Sequence, residues 1–421
     1  MRIIIINYRY FISGGPERYL FNVKDLLEKN GHEVIPFSIK NKLNRPTQYE
    51  NYFLEPIGED KVYFNDYKID LKTIFKSFSR MFYSFEAKKK LNSLIKAVNP
   101  DLIYVLHYQN KISASIFDAA AKNKIPVIHR ISDFGQICSN ALFFRPIQKD
   151  ICERCLTGSK FNAIRYKCVQ GSYLYSSIKV ASLKFQEITA ITKKIQSFVI
   201  PSLFTLAKLR AFGFPDRSLV HIPTFFNFQS ISKEVKISYK PFALYIGRIE
   251  SEKGLLTLIK SFENTELNLK IIGFSNTGFD QTLKDYLKDK NHHIEFLGKK
   301  GFEEIQTYLS NCLFTVVPSE WYDNFPNVIL ESFAFKKCVV ASNIGSLKEL
   351  VIDNKTGLLF RIKDVQDLKT KLAYLFTNMP ICEELGKNAF NKLNNEYSAN
   401  KHYDKLISLF TTTIENFQVS N

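Results

Sequence analysis

Apolar positions along the chain fall into short runs separated by stretches of helical period. Residues Arg2–Asn7 contain four consecutive isoleucines, Ile3–Ile6, and read as a strand buried on both faces. A loop through Ser13-Gly14-Gly15-Pro16 leads into a helix predicted over Glu17–Asn30. There Leu20, Val23 and Leu27 share one face, and Gly31 marks the end. Glu33–Ser38 resumes as a strand. Asp101–Leu106 and Pro126–His129 read as parallel strands flanking a helix over Ile112–Asn123.

The second half repeats the grammar. Strands are predicted at Phe242–Ile246, Leu269–Gly273, Ile294–Leu297, Leu313–Val317 and Val339–Ala341, with helices at Gly254–Glu263, Phe279–Lys288, Glu303–Asn311 and Pro326–Phe335. This alternation predicts an α/β chain of two Rossmann-like, doubly wound parallel-sheet domains facing a cleft. Residues 1–225 form the first, 226–240 a linker and 241–395 the second. Residues 396–421 read as a C-terminal helix packing back on the first domain. Ligands are expected at the carboxyl ends of the strands, in the cleft.

Charge sharpens this picture. The 421 residues carry 58 Lys+Arg against 41 Asp+Glu, a formal +17. Residues 1–225 hold 34 basic and 18 acidic groups, whereas 226–421 hold 24 and 23. An excess confined to one domain suggests an anionic partner: nucleic acid, a membrane surface or a phosphorylated substrate. Asp70–Val98 and Gly171–Ser197 are amphipathic. In the former, Lys72, Lys76, Arg80, Lys88, Lys89 and Lys90 lie near Phe75, Phe78, Phe82 and Phe85. Such a helix either lies on anionic lipid or packs its aromatic face on its own domain. The opening apolar run is too short for a signal peptide, and no run approaches the ~18 residues of a membrane span. The expectation is a cytoplasmic protein, peripheral on the inner face of the plasma membrane.

Three segments of the second half carry candidate chemistry. Arg248 and Lys253, five residues apart on a loop leaving a strand, suit the two sides of a diphosphate. Next, Pro318-Ser319-Glu320-Trp321-Tyr322-Asp323-Asn324-Phe325-Pro326-Asn327 runs from a strand into a helix whose free N–H groups would hold an anion. Asp323 and Glu331 flank that helix start, eight residues apart. Third, Val340-Ala341-Ser342-Asn343-Ile344-Gly345-Ser346 is a strand ending in a small-residue turn.

In this order, with Glu349 and Thr356–Phe360 following, these segments resemble glycosyltransferase family 4, whose members have the GT-B architecture and retain anomeric configuration. The resemblance covers the second half closely and the first more loosely. It implies that Arg248 and Lys253 bind the donor diphosphate and that Glu331 holds the donor ribose. Gly14 and Gly15 approach donor phosphate and sugar, and Asn324, Phe325, Pro326 and Asn327 complete the donor site. Asp323 stands where the family has the first Glu of E-x7-E, and a catalytic role is carried over to it. The family's His-Asp after the strand at Pro126 becomes Ser132-Asp133, leaving Asp133 and the nearby His129 as catalytic candidates, with His107 ending the preceding strand. The resemblance implies a hexosyltransferase acting on a nucleotide diphosphate sugar and a glycan or lipid-linked acceptor, in capsule, exopolysaccharide or lipopolysaccharide synthesis. No catalytic metal or other cofactor, and no nucleic acid, is expected.

Cys138, Cys152, Cys155 and Cys168 are spaced C-x13-C-x2-C-x12-C, within an insertion near 138–168. The set reads either as a structural zinc site or as scattered thiols. Two other functions stay open on sequence alone: a non-catalytic GT-B scaffold, and a basic nucleic-acid-binding protein with a four-cysteine metal site. A nicotinamide oxidoreductase is excluded, because no G-x-G-x-x-G follows the first strand.

Overall fold

The computed structural model describes residues 1–57, 71–228 and 241–419, so most of the expected linker and the side chain of Lys72 lie outside the described residues. The first domain is built on β1 (Arg2–Ile6), β2 (Glu33–Phe37), β3 (Leu102–Val105) and β4 (Val127–Arg130). A small antiparallel pair, β5 (Phe144–Arg145) and β6 (Asp150–Ile151), interrupts the order before β7 (Ser197–Ile200) and β8 (Leu219–His221). The main sheet runs β2-β1-β3-β4-β7-β8, with every pairing parallel. Its helices are α1 (Gly15–Lys29), α2 (Leu71–Met81), α3 (Phe85–Val98), α4 (Ser115–Lys122), α5 (Arg154–Thr157), α6 (Asn162–Arg165), α7 (Tyr173–Ile188) and α8 (Leu203–Phe212).

The second domain contains β9 (Phe242–Ile246), β10 (Asn268–Ile272), β11 (His293–Gly298), β12 (Phe314–Val317), β13 (Cys338–Ser342) and β14 (Gly357–Phe360). They form a parallel sheet in the order β11-β10-β9-β12-β13-β14. Around it lie α9 (Leu255–Phe262), α10 (Phe279–Leu287), α11 (Phe302–Asn311), α12 (Asn327–Ala334), α13 (Leu347–Leu350), α14 (Val365–Thr377) and α15 (Met379–Glu396). The last helix, α16 (Ala399–Val419), crosses back to the first domain.

The isoleucine run of β1 is used on both faces. Ile3 and Ile5 pack with α1 residues Leu20 and Val23 and with Leu406 and Phe410 of α16. Ile4 and Ile6 pack with Leu91 and Leu94 of α3 and Phe117 of α4. Phe410 is fully buried with its ring 5.3 Å from that of Tyr104, and His402 Nε2 lies 3.1 Å from Tyr19 Oη. Burying Leu406 and Phe410 stabilises this return by about 1.5–3 kcal/mol each. The strand order reverses direction between β1 and β3 in one sheet and between β9 and β12 in the other. Each reversal opens a crevice at the carboxyl ends of those strands, where the loops that leave them lie.

Two expectations change. The amphipathic stretch after Asp70 is two helices, because Ser84 caps α3 by accepting from Ala87 N–H. Its cations are mostly spent internally. Arg80 is 1% exposed and donates to the Lys111 and Glu55 carbonyls and to Glu86. Lys88 bonds Tyr83, Lys90 bonds the Phe53 carbonyl and Lys76 the Pro56 carbonyl. Apolar side chains stand exposed instead: Phe75 on α2, Phe85 on α3, Leu174 and Ile188 on α7. Among the described residues, no helix is long and apolar enough to cross a membrane.

Candidate donor and acceptor site

β9 ends at Ile246, and the chain turns through Arg248 to Lys253 before α9. Gly254 makes that turn possible. Its φ is +70°, and a Cβ there would stand 1.8 Å from the Pro318 carbonyl oxygen, so only glycine allows the two loops to touch. That contact brings Lys253 to the loop after β12. Lys253 Nζ donates to Asp323 Oδ1 at 2.6 Å and lies 4.8 Å from the Trp321 ring centroid. Ser319 Oγ donates to Asp323 Oδ2 at 2.6 Å, and Ser346, from the turn after β13, donates to the Asp323 carbonyl at 2.6 Å. Asp323 is thus 7% exposed and held on three sides. Arg248, more open, pairs with Glu252 at 3.3 Å.

Across the crevice, α1 begins at Gly15. A Cβ on Gly15 would lie 2.9 Å from Asn327 Nδ2, and Asn327 Nδ2 donates to the Gly15 carbonyl at 3.3 Å. The N-termini of α1 and α12 therefore meet, and their free N–H groups make one electropositive point between the domains. Glu331, one turn into α12, is 6% exposed and paired with Arg18 of α1, a residue sequence reasoning passed over. Arg18 also covers the Phe302 ring at 5.0 Å. Its position three residues beyond Gly15 at the cleft-facing start of α1 was the available signal.

The other residues carried over from the resemblance divide. Asn324 joins the domains, donating to the Ile131 carbonyl at 2.9 Å and accepting from Thr205 Oγ1 at 2.6 Å. Phe325 packs 6.0 Å from Tyr397, and Pro326 sets the extended backbone just before α12 rather than lying within its first turn. Glu349 accepts from the Leu203 and Phe204 N–H groups, at 3.0 and 3.2 Å, at the start of α8.

On the first domain, His107 and Asp133 meet, Nε2 to Oδ2 at 3.2 Å. Burial pushes the Asp133 carboxyl up, but His107 and the Gly135 N–H outweigh it and hold it below the usual carboxylate range. His129 belongs to the core instead. It is 5% exposed, its Nδ1 is 3.0 Å from the Val105 carbonyl, and rings of Tyr108 and Phe198 enclose it. Burial lowers its pKa to about 4, so it stays neutral. Strand alternation explains the difference: β4 turns His129 inward, while His107 follows the last residues of β3 into the loop.

Cys138, Cys152, Cys155 and Cys168 gather in the insertion, all as free thiols. Burial first, then the neighbouring cysteines, push Cys155 up to about 11 and Cys168 up to about 12. Cys138 donates to Asn140 Oδ1 at 3.0 Å. Among the described residues no three Cys, His, Asp or Glu side chains stand in an arrangement that would hold a metal. The insertion instead reaches the second domain, where Tyr322 donates to Glu153 at 2.7 Å and Lys363 to the Lys149 carbonyl at 2.9 Å.

Residues 227–392 match the family described as Glycosyl transferases group 1. The chain is 26% identical over 315 residues to an uncharacterized glycosyltransferase of Methanocaldococcus jannaschii, covering 74% of this chain and 76% of that protein. It is 24% identical over 369 residues to the capsular polysaccharide biosynthesis glycosyltransferase CapM of Staphylococcus aureus, covering 82% and 97%. Over 186 residues, 44% of this chain and 48% of the relative, it is 26% identical to the N,N'-diacetylbacillosaminyl-diphospho-undecaprenol alpha-1,3-N-acetylgalactosaminyltransferase of Campylobacter jejuni. Among solved structures, sucrose-phosphate synthase from Thermosynechococcus elongatus superposes with a TM-score of 0.71 at 17% identity, over 99% of both chains. Anabaena HepE in complex with UDP-glucose gives 0.67 at 14% identity, over 98% and 100%. The fold is therefore GT-B, and residues 227–392 are similar to the group 1 glycosyltransferases.

Proposed function

We propose that the chain is a retaining hexosyltransferase of the family 4 type, moving a sugar from a nucleoside diphosphate onto a lipid-linked glycan during synthesis of a cell-surface polysaccharide. The observation that carries this reading is the contact between the N-termini of α1 and α12, with Glu331 paired to Arg18 beside it and with Lys253, from the loop that also carries Arg248, bonded to Asp323 just before α12. A diphosphate seated there receives two cations and backbone N–H groups where negative charge develops as it leaves. Glu331 then holds the ribose hydroxyls once Arg18 moves off. The capsular role of CapM and the diphospho-undecaprenol acceptor in the Campylobacter enzyme's name support the acceptor class.

Asp323 is engaged by Lys253 and Ser319, which suits a group that fixes the donor sugar better than a free nucleophile. Retention then follows from attack on the face the diphosphate leaves. The acceptor hydroxyl oxygen bonds to the anomeric carbon, the bond to phosphate oxygen breaks, and the hydroxyl proton passes to that oxygen. His107 and Asp133, across the crevice, orient the acceptor hydroxyl. Thermal-shift measurements with UDP, GDP and ADP test the donor reading: stabilisation by one base over the others is expected. Stabilisation by none would sink it, and a trapped glycosyl-carboxylate would overturn the front-face step.

A further inference from the structure

Resting on that reading, we propose that the cavity between α2 and α7 is the acceptor subsite for a diphosphate bearing a long apolar chain. Lys111 and Lys179 hold the diphosphate; Ile74, Phe78, Met81 and Ile178 line the way for the chain.

The cavity measures about 680 Å³, within the ~300–1,000 Å³ range of small-molecule sites. Its surface is mainly apolar, yet both lysines open on it, together with His107 and Asp133. Lys179 is 4% exposed and donates to the neutral Asn110 Oδ1 at 2.9 Å. Among the described residues it lies in no ion pair. Asp133 on the same cavity acts on it only from beyond ion-pair distance, so the buried ammonium gains from an anion in direct contact, and a diphosphate supplies that anion. Burial lowers both lysines to about 8, Arg9 adding to the effect at Lys111 and Asp133 partly opposing it at Lys179, so each retains its charge at neutral pH and gains from an anion.

The walls continue outward into exposed apolar surface. Phe75 on α2 is 77% exposed and Leu174 on α7 is 65% exposed. The two helices are joined behind the cavity, Ser182 donating to the Met81 carbonyl at 2.8 Å and Phe82 packing 5.9 Å from Phe185. Cations deep inside and apolar surface at the mouth match an amphiphile whose polar end points to the crevice. Inorganic diphosphate has no use for the walls, and a nucleoside diphosphate belongs to the opposite site.

The test is calorimetric titration of the full chain with farnesyl diphosphate, farnesol and inorganic diphosphate, with and without saturating nucleoside diphosphate. Farnesyl diphosphate should bind in both conditions, at least about tenfold more tightly than either half alone. Lys179→Met and Phe78→Asp should each weaken it by at least about tenfold while nucleoside diphosphate binds as in the wild type. Phe78 is at the surface, so its substitution checks the assignment if the buried lysine variant fails to fold. Farnesyl diphosphate binding no tighter than inorganic diphosphate, loss of its binding when nucleoside diphosphate is added, or unchanged affinity in Phe78→Asp would overturn the proposal. If nucleoside diphosphates fail to bind but farnesyl diphosphate does, the donor reading falls and the cavity assignment stands.

Discussion

Lys253 has two separable tasks, one structural and one toward the donor. In Lys253→Met the Asp323 carboxylate, 7% exposed, loses its 2.6 Å partner and keeps Ser319. Removing one member of a buried pair costs ~3–5 kcal/mol, and the surviving hydroxyl bond lowers the cost here to about 2–3 kcal/mol. If Lys253 also binds the diphosphate, losing a bond to a charged group removes ~1.5–3 kcal/mol, so nucleoside diphosphate affinity falls about 10–100-fold. The double variant Lys253→Met/Asp323→Asn removes the stranded charge. Its stability in urea unfolding should return to within about 1 kcal/mol of wild type. Its affinity by calorimetry should stay low, because the cation is still missing. Affinity that recovers with stability, or never falls, would show that the pair only holds the loop and that the diphosphate binds elsewhere.

Arg18→Ala releases Glu331 for ribose and should tighten nucleoside diphosphate binding by about 2–5-fold in the same titration; weaker binding would mean that Arg18 itself touches the donor. His129 and His402 are lowered to about 4 and about 3 by burial, so below the unfolded value of 6.5 the unfolded chain binds protons that the folded chain refuses. Stability therefore falls as pH drops from 6.5 toward 4, by up to about 3 kcal/mol per histidine. Urea unfolding at pH 7 and 4.5 should show a smaller difference in His129→Gln. With their pKa values near 11 and 12, Cys155 and Cys168 should react with iodoacetamide at pH 8 at least about 100-fold more slowly than an exposed thiol. Acceleration by a chelator would reveal a bound metal.

Much of the second domain was legible because its signals are local. Lys253 and Gly254 sit where a strand feeds a helix, and the Pro318–Asn327 segment turns where β12 ends. For Asn324 and Phe325 the resemblance implies a place in the donor site, and a motif by itself does not show their further contacts. Their bonds to Ile131 and Thr205, and the packing on Tyr397, join segments far apart in the chain. His129 and His107 show the same limit. One lies within β4 and the other just past β3, and which of them is buried depends on a register against a sheet whose neighbours the sequence does not name.

By itself the sequence determined the two parallel sheets, through buried runs alternating with helical periods, and it located the cations and acids of the donor half. Only the tertiary structure decided which groups meet. Arg18 reaches Glu331 across the crevice, Arg80 and Lys90 turn inward onto carbonyls, and Lys179 is left in a cavity with the neutral Asn110 as its hydrogen-bond partner. The physical reason is that periodicity is set by each segment's own geometry, whereas the fate of a charge depends on what other segments bring within about 4 Å of it.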